Sequence, residues 1–144
     1  MKDLIYYYAA TFLKVLMVFF SPIRGIIMLV ALSTIIDTAV GIWKAKKLKE
    51  KITSKKIRFG FVPKLISYVA AIMLVYMSDY FIISELIGSV ISIEFFATKV
   101  IALALISVEV KSIDESFKAV KGCSFPEKIT KLILKMKDIK KNLK

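Results

Sequence analysis

The chain has 144 residues, of which 58% are apolar, and its mean hydropathy is +0.71. Soluble domains are about 45–50% apolar, so this composition predicts membrane segments. The formal net charge is +12, and the chain has no histidine and one cysteine, Cys123. It therefore lacks the commonest general base and metal ligand, and a lone thiol forms neither an intramolecular disulfide nor a thiolate metal site. We expect no catalytic residue, cofactor or metal, and so no enzyme.

Four apolar blocks follow one another along the chain. A helix rises about 1.5 Å per residue, so about 20 residues cross a hydrocarbon layer of roughly 30 Å. The blocks at 25–43, 62–83 and 86–108 reach that length. The first block, 4–20, is shorter and contains Lys14. It is predicted either to span the membrane or to lie in the interface.

The blocks predict helices. They show no sustained alternation of apolar and polar residues, and each is too long for one strand. Only helices or closed barrels satisfy the backbone inside a bilayer, and four blocks cannot close a barrel. The predicted fold is an all-α integral membrane protein with about four transmembrane helices, or three if the first is interfacial. Residues 1–108 form the membrane domain, and 109–144 form a basic cytoplasmic tail.

Turn-forming residues separate the predicted helices. The "SPIRG" segment at 21–25 predicts a tight turn between two antiparallel helices. Pro63 is expected at the start of the third helix, where a missing amide hydrogen is tolerated. Ser84 and Glu85 predict a very short loop before the fourth helix.

Basic residues concentrate in a loop at 44–61 and in the tail. Short loops rich in Lys and Arg stay on the cytoplasmic side. With four spans, both basic regions and both termini are cytoplasmic; with three, the amino terminus moves outside or into the interface. The loop is expected to contact anionic lipid headgroups, and it lacks the interleaved aromatics of a nucleic-acid site. Its cations are Lys44, Lys46, Lys47, Lys49, Lys51, Lys55, Lys56 and Arg58.

Polar side chains also occur inside the predicted spans. A charge such as that of Asp37 near a helix centre costs at least about 2.5–3.5 kcal/mol, so it is expected to face a partner helix or water. Stripes of small and polar residues let membrane helices approach closely. Two stripes with helical spacing are present: Ser33, Asp37 and Gly41 in the second block, and Glu94, Thr98 and Ala102 in the fourth.

The predicted depths of these charges suggest partners. Asp37 is expected to contact Lys99, and Glu94 is expected to contact Lys14, either within one chain or between subunits. The charges then either hold a bundle together, or line a polar path or become exposed to water when subunits assemble. A further alternative is that the carboxyls are protonated and take no part. Asp79 lies near the outer end of its predicted helix and is expected to reach the headgroups.

Residues 124–144 predict an amphipathic helix. Ser124 and Glu127 have the spacing of a capping box. A basic amphipathic helix commonly lies on an anionic membrane surface, and the alternative is that it packs on a neighbouring subunit. Its apolar stripe contains Ile129, Leu132, Ile133, Met136, Ile139 and Leu143.

The central segment "DTAVGIWKAKKLKEKITSKKIRFGFVPKL" and the later "VEVKSIDES" resemble the phage holins of the toxin-secretion and phage-lysis family. The resemblance covers about residues 28–120. Val40 and Val108 stand where that family usually has Thr and Asn. The matching positions are Asp37, Gly41, Lys44, Ala45, Ser54, Gly60, Lys64, Asp79, Glu109, Ser112, Ile113 and Glu115.

The resemblance implies a phage-encoded protein of the bacterial cytoplasmic membrane. Such proteins form homo-oligomers and open lesions in the membrane. An endolysin or a toxin is released through the lesions, and the host lyses. The resemblance does not require direct binding between the endolysin and this chain. Two other classes stay open. The chain could be a membrane scaffold that recruits a partner through its basic tail. It could also be a small transporter with Asp37 or Glu94 as a proton-coupled site.

Overall fold

The structure is a computed structural model that describes residues 2–88 and 90–142, with the backbone alone for 2, 3, 56 and 137–142. Lys56, Ile139 and Leu143, which the sequence analysis singled out, therefore lie outside the described side chains. Every regular element in the described ranges is helical. In chain order these are α1 (Lys2–Phe19), a 3₁₀ turn (Ser21–Ile23), α2 (Arg24–Lys47), α3 (Ser54–Ser78), a π-helical turn (Asp79–Ile83), α4 (Ser84–Ile87), α5 (Phe96–Lys121) and α6 (Phe125–Asn142).

Helices α2, α3 and α5 pack together as a three-helix bundle. Their buried residues lie four or seven positions apart, so each helix turns one stripe toward the other two. On α5 that stripe includes Thr98, Ala102, Glu109 and Ser116. An apolar core lies in the half of the bundle that contains the 3₁₀ turn. It contains Ile23, Val30, Ile72, Tyr76 and Ala102.

Much apolar surface of the helices is uncovered. The segments Ser21–Lys47 and Ile57–Ile87 are long and apolar enough to cross a membrane by length and composition. In their most apolar stretches only 11% and 17% of the residues are buried, whereas the core helix of a soluble protein would be mostly buried. Leu4–Phe19 is a shorter apolar helix, and its residues from Leu4 to Val18 are all exposed.

The predicted fourth span is not a single helix. Helix α3, the π-helical turn and α4 follow one another without a break, so Ser84 and Glu85 are helical and the helix ends at Ile87. Helix α5 begins only at Phe96. The Ser84 hydroxyl donates to the carbonyl of Tyr80 at 3.0 Å, so this polar residue is accommodated inside the helix. The break is described at Gly88 and at residues 90–95, and it ends at Phe95 with a φ of 51°. Prediction of a loop at 84–85 was therefore wrong.

The basic loop is also shorter than predicted. Helix α2 continues to Lys47 and α3 starts at Ser54, so only 48–53 are outside the helices. Pro63 consequently lies inside α3 and not at its start. Helix α5 is also longer than predicted. It continues to Lys121 and therefore includes residues 109–121, which were predicted to belong to the tail.

A short connection joins α5 to α6. Gly122 ends α5 with a φ of +71°, which glycine adopts without strain. The carboxylate of Asp114 accepts a hydrogen bond from the Phe125 amide at 2.7 Å. Ser124 and Glu127 exchange the two 3.3 Å hydrogen bonds of a capping box. These contacts fix where α6 leaves the bundle.

At the opposite end, Tyr76 ties α1 to the bundle. Its hydroxyl donates to the carbonyl of Phe19 at 2.9 Å, and the Phe19 ring packs against the rings of Tyr76 and Tyr80. We predict that Tyr76→Phe lowers the free energy of unfolding in detergent by about 1 kcal/mol, since it removes this hydrogen bond but keeps the ring.

The matched control is Tyr80→Phe, because the Tyr80 ring also contacts Phe19 but its hydroxyl bonds to no described residue. Unfolding is followed by the loss of helical circular dichroism. Equal stability of the two variants would contradict the prediction.

Candidate functional site

One lysine joins the three helices of the bundle. The Lys64 ammonium, on α3, donates to Asp37 Oδ2 on α2 at 2.9 Å and to Glu109 Oε2 on α5 at 2.6 Å. The Glu109 side chain is fully buried, and those of Asp37 and Lys64 are 14% and 30% exposed. Hydrogen bonds between charged groups are the stronger ones in proteins. We call this cluster the lysine triad.

The lysine triad contains two carboxylates and one cation. Removing one partner of a buried ion pair typically costs about 3–5 kcal/mol, because the other charge is left uncompensated. Lys64 therefore reduces the energetic cost of burying the carboxylates of Asp37 and Glu109 between the helices. One carboxylate oxygen, Glu109 Oε1, has no hydrogen-bond partner among the described residues. No group of three or more His, Cys, Asp or Glu side chains suited to a metal occurs in the described ranges.

A second polar contact lies at the other end of the bundle. Asp79 is 3% exposed, and its Oδ2 accepts hydrogen bonds from the amide and the hydroxyl of Thr98, both at 2.9 Å. Thr98 is in the first turn of α5, where amides have no partner in their own helix. Asp79 thus caps α5 from another helical segment, and its negative charge suits a helix amino terminus.

The predicted ion pairs within one chain are wrong. Asp37 pairs with Lys64 and not with Lys99, and the side chains of Lys99, Glu94 and Lys14 are all exposed. Lys99 follows Thr98, so it points away from the face of α5 that packs on the bundle. Glu94 precedes α5 altogether. The alternative, in which these pairs join two subunits, stays a prediction.

The buried contact of Asp79 contradicts the expectation that this residue reaches the headgroups. The stripe on α2 is also rotated relative to the prediction, because Thr34 is fully buried whereas Ser33 is half-buried. Both hydroxyls donate to the carbonyl of Val30. Gly41 lies one turn beyond Asp37. Thr98 and Ala102 are buried in the α5 stripe, which Glu94 does not join.

The basic residues line the end of the bundle at which α2 ends and α3 begins. Lys44 is half-buried, whereas the other described side chains of this group are exposed. Lys55 lies over the ring of Phe59 at 5.8 Å. The exposed members are Lys46, Lys47, Lys49, Lys51, Lys55 and Arg58.

Charge and predicted helix depth did not reveal Lys64 and Glu109 as partners of Asp37. Lys64 was placed at the edge of a span, and Glu109 was placed just beyond one. The signal was nevertheless present, since both residues are among the positions that carry the holin resemblance. That resemblance, unlike helix depth, marks the three members of the lysine triad together.

The all-helical fold, the two long apolar helices and the charges paired between helices define a helical membrane protein. The model of the bacteriophage holin family matches residues 14–138, most of the chain. The protein therefore belongs to the bacteriophage holin family, and the resemblance seen in the sequence is confirmed. No curated protein and no solved structure matches it.

Lys64 is predicted to be essential for the stability of the bundle. Lys64→Met removes the cation and leaves Asp37 and Glu109 facing each other, so we expect a loss of about 3 kcal/mol in unfolding free energy. The measurement is thermal unfolding of the purified protein in detergent micelles, followed by circular dichroism.

Lys55→Met is the matched control, because it removes an exposed cation from the same helix. Adding Asp37→Asn and Glu109→Gln to Lys64→Met should restore part of the lost stability. If Lys64→Met were as stable as Lys55→Met, the lysine triad would not hold the helices together.

Proposed function

We propose that this protein oligomerises in the bacterial cytoplasmic membrane and forms lesions. Through these lesions an endolysin or a toxin leaves the cell and the host lyses, with no direct binding of the enzyme to this chain. The observation that carries the proposal is the match to the bacteriophage holin family over residues 14–138. The uncovered apolar surface of the helices supports a site of action within lipid.

The distribution of charge supports a topology with the basic end in the cytoplasm. Trp43, at the basic end of α2, stacks on Phe117 near the end of α5 with ring centroids 6.2 Å apart. The basic loop and the start of the tail are therefore at one end of the bundle. By the positive-inside rule this end is cytoplasmic, and the contact between Asp79 and Thr98 lies on the outer side.

The surface of α6 supports contact with anionic headgroups. The described apolar side chains of α6, among them Leu132, Ile133 and Met136, are exposed. Among the described side chains of this helix, Lys128, Lys131 and Lys135 are also exposed. Its start is held near the basic end by contact of the Phe125 ring with Phe117, at 5.6 Å. An amphipathic helix at this level would lie along the inner membrane surface.

Helix α1 is the surface that we propose for contact between subunits. Its residues from Leu4 to Val18 are exposed, and they include Lys14. A cation on a membrane helix is expensive without a partner or access to the headgroups. Glu94 is exposed at the same outer end of the bundle and forms no ion pair with a described residue. Glu94 of a neighbouring copy would therefore form an ion pair with Lys14.

Such an assembly would form lesions by mass action. Each contact between copies is weak, so many must form together, and this makes assembly steep in concentration. Polar groups able to meet water are already present inside each bundle, since Asp37 and Lys64 are partly exposed in the single chain. The timing of the lesion then depends on accumulation and needs no catalytic residue.

Inducible expression in bacteria tests the proposed function. We expect a lag, then an abrupt loss of membrane potential and an arrest of growth, recorded with a voltage-sensitive dye. Cells that also hold an endolysin in the cytoplasm should lyse at that moment. A stable, non-toxic membrane protein would favour a scaffold instead. A proton leak that rises in proportion to the amount of protein would favour a transporter.

Disulfide cross-linking tests the proposed contact between subunits. In a Cys123→Ser background, a chain with Lys14→Cys is co-expressed with a chain with Glu94→Cys. We expect a cross-linked dimer of the two chains, whereas Lys14→Cys with Glu85→Cys, another exposed acid at the outer end, should give far less. Equal cross-linking of both pairs would rule out this contact but would leave lesion formation untouched.

A further inference from the structure

A cavity of about 350 Å³ opens beside the lysine triad at the basic end of the bundle. Its walls come from the last turns of α2, the connecting segment 48–53, the first turns of α3 and the inner part of α5. The residues that matter for its chemistry are Gly41, Lys44, Lys51, Gly60, Ser112 and Ser116. Four of them, Gly41, Lys44, Gly60 and Ser112, are also positions that carry the family resemblance.

Two serine hydroxyls in this cavity lack a partner. Hydroxyls inside the helices usually turn back to a carbonyl of their own helix, as Thr38 and Ser107 do. Ser112 and Ser116 make no hydrogen bond to any described residue, although Ser116 is only 8% exposed. Buried hydroxyls are normally hydrogen-bonded. Ser116 is a buried residue and Ser112 is half-buried, and both lie on the cavity wall, so a polar ligand in the cavity would supply the missing partner.

The glycines keep the cavity open. A Cβ atom added to Gly41 or Gly60 would meet no atom within 4 Å. Neither glycine is therefore required by close packing of the helices within one chain. Their effect is to leave space beside the serines and lysines.

The charge around the cavity favours an anion, although the wall itself is close to neutral. Lys64 pairs with both Asp37 and Glu109, so the lysine triad carries one net negative charge. Lys44 and Lys51 stand against Glu50 on the rest of the wall, and the excess positive charge comes from the exposed basic residues at this end of the bundle. Ammonium and hydroxyl groups are both donors, which is the set that phosphate oxygens accept from.

We propose that this cavity binds a phosphate-bearing anion, held by Lys44 and Lys51 and by the hydroxyls of Ser112 and Ser116. The phosphate comes either from an anionic lipid headgroup or from a soluble phosphate of the cytoplasm. Apolar wall residues, Ile52, Ile57 and Phe61, suit the carbon skeleton next to a headgroup phosphate. The site rests on the proposed orientation of the basic end but not on lesion formation, because its test measures binding alone.

Trp43 provides the reporter for this test. It is the single tryptophan of the chain and adjoins Lys44 in the cavity wall. The protein is placed in phosphatidylcholine nanodiscs. In one arm, brominated phosphatidylglycerol is added at rising mole fraction, with brominated phosphatidylcholine as the reference for random quenching. In the other arm, inorganic phosphate is titrated against chloride at matched ionic strength.

We expect Trp43 emission to change saturably in at least one arm, and the arm that saturates identifies the source of the phosphate. Lys51→Gln should weaken binding about tenfold, because it removes a charged donor, whereas Lys55→Gln removes the same charge outside the cavity and should have little effect. Ser116→Ala should weaken binding several-fold relative to Ser107→Ala, which changes an exposed hydroxyl of the same helix.

Two results would overturn the site. One is the absence of saturation in both arms. The other is equal weakening by Lys51→Gln and Lys55→Gln, which would reduce the effect to general attraction between a basic surface and anions. Gly60→Leu provides a further check. A Cβ atom at Gly60 would meet no atom within 4 Å, so we expect this variant to fold, and its side chain beside the cavity should weaken binding.

Discussion

The bundle depends on the two ion pairs that the Lys64 ammonium group makes with Asp37 and Glu109. The ammonium group lies between carboxylates of two other helices, so one side chain sets the distance and the rotation of all three. In lipid there is little hydrophobic drive for one apolar helix to choose another, so polar contacts and close packing select the partners. The contact between Asp79 and Thr98 does the same at the opposite end of the bundle. The apolar core near that end separates the two polar contacts.

The fold class could be predicted from the sequence because long apolar blocks leave few alternatives in a bilayer. The positions of the helix ends could not be predicted in this way. The predicted spans were cut where hydropathy fell, at 62 and at 108, but α3 and α5 extend beyond the apolar blocks. Lys64 and Glu109 thus seemed to lie at helix edges. With the observed helix ends, both lie well inside α3 and α5, where their side chains face Asp37.

The break before α5 shows a second limit of hydropathy. Hydropathy extends the predicted fourth span back to residue 86, yet Gly88 and residues 90–95 lie outside the helices. The start of α5 is stabilised by Asp79, which accepts a hydrogen bond from the Thr98 amide. These two residues are 19 positions apart in the sequence. No local pattern reveals such a partner. The family resemblance did mark Asp79, because it depends on positions and not on an assumed helix depth.

Helix α5 has a further consequence for the proposed behaviour in a membrane. It is an unbroken rod of 26 residues, about 39 Å long, and it has no proline. One end is fixed to Asp79, and the connection 122–124 joins the other end to α6. The hydrogen bond from the Phe125 amide to Asp114 holds that connection against α5, so the direction in which α6 leaves the bundle depends on the orientation of α5.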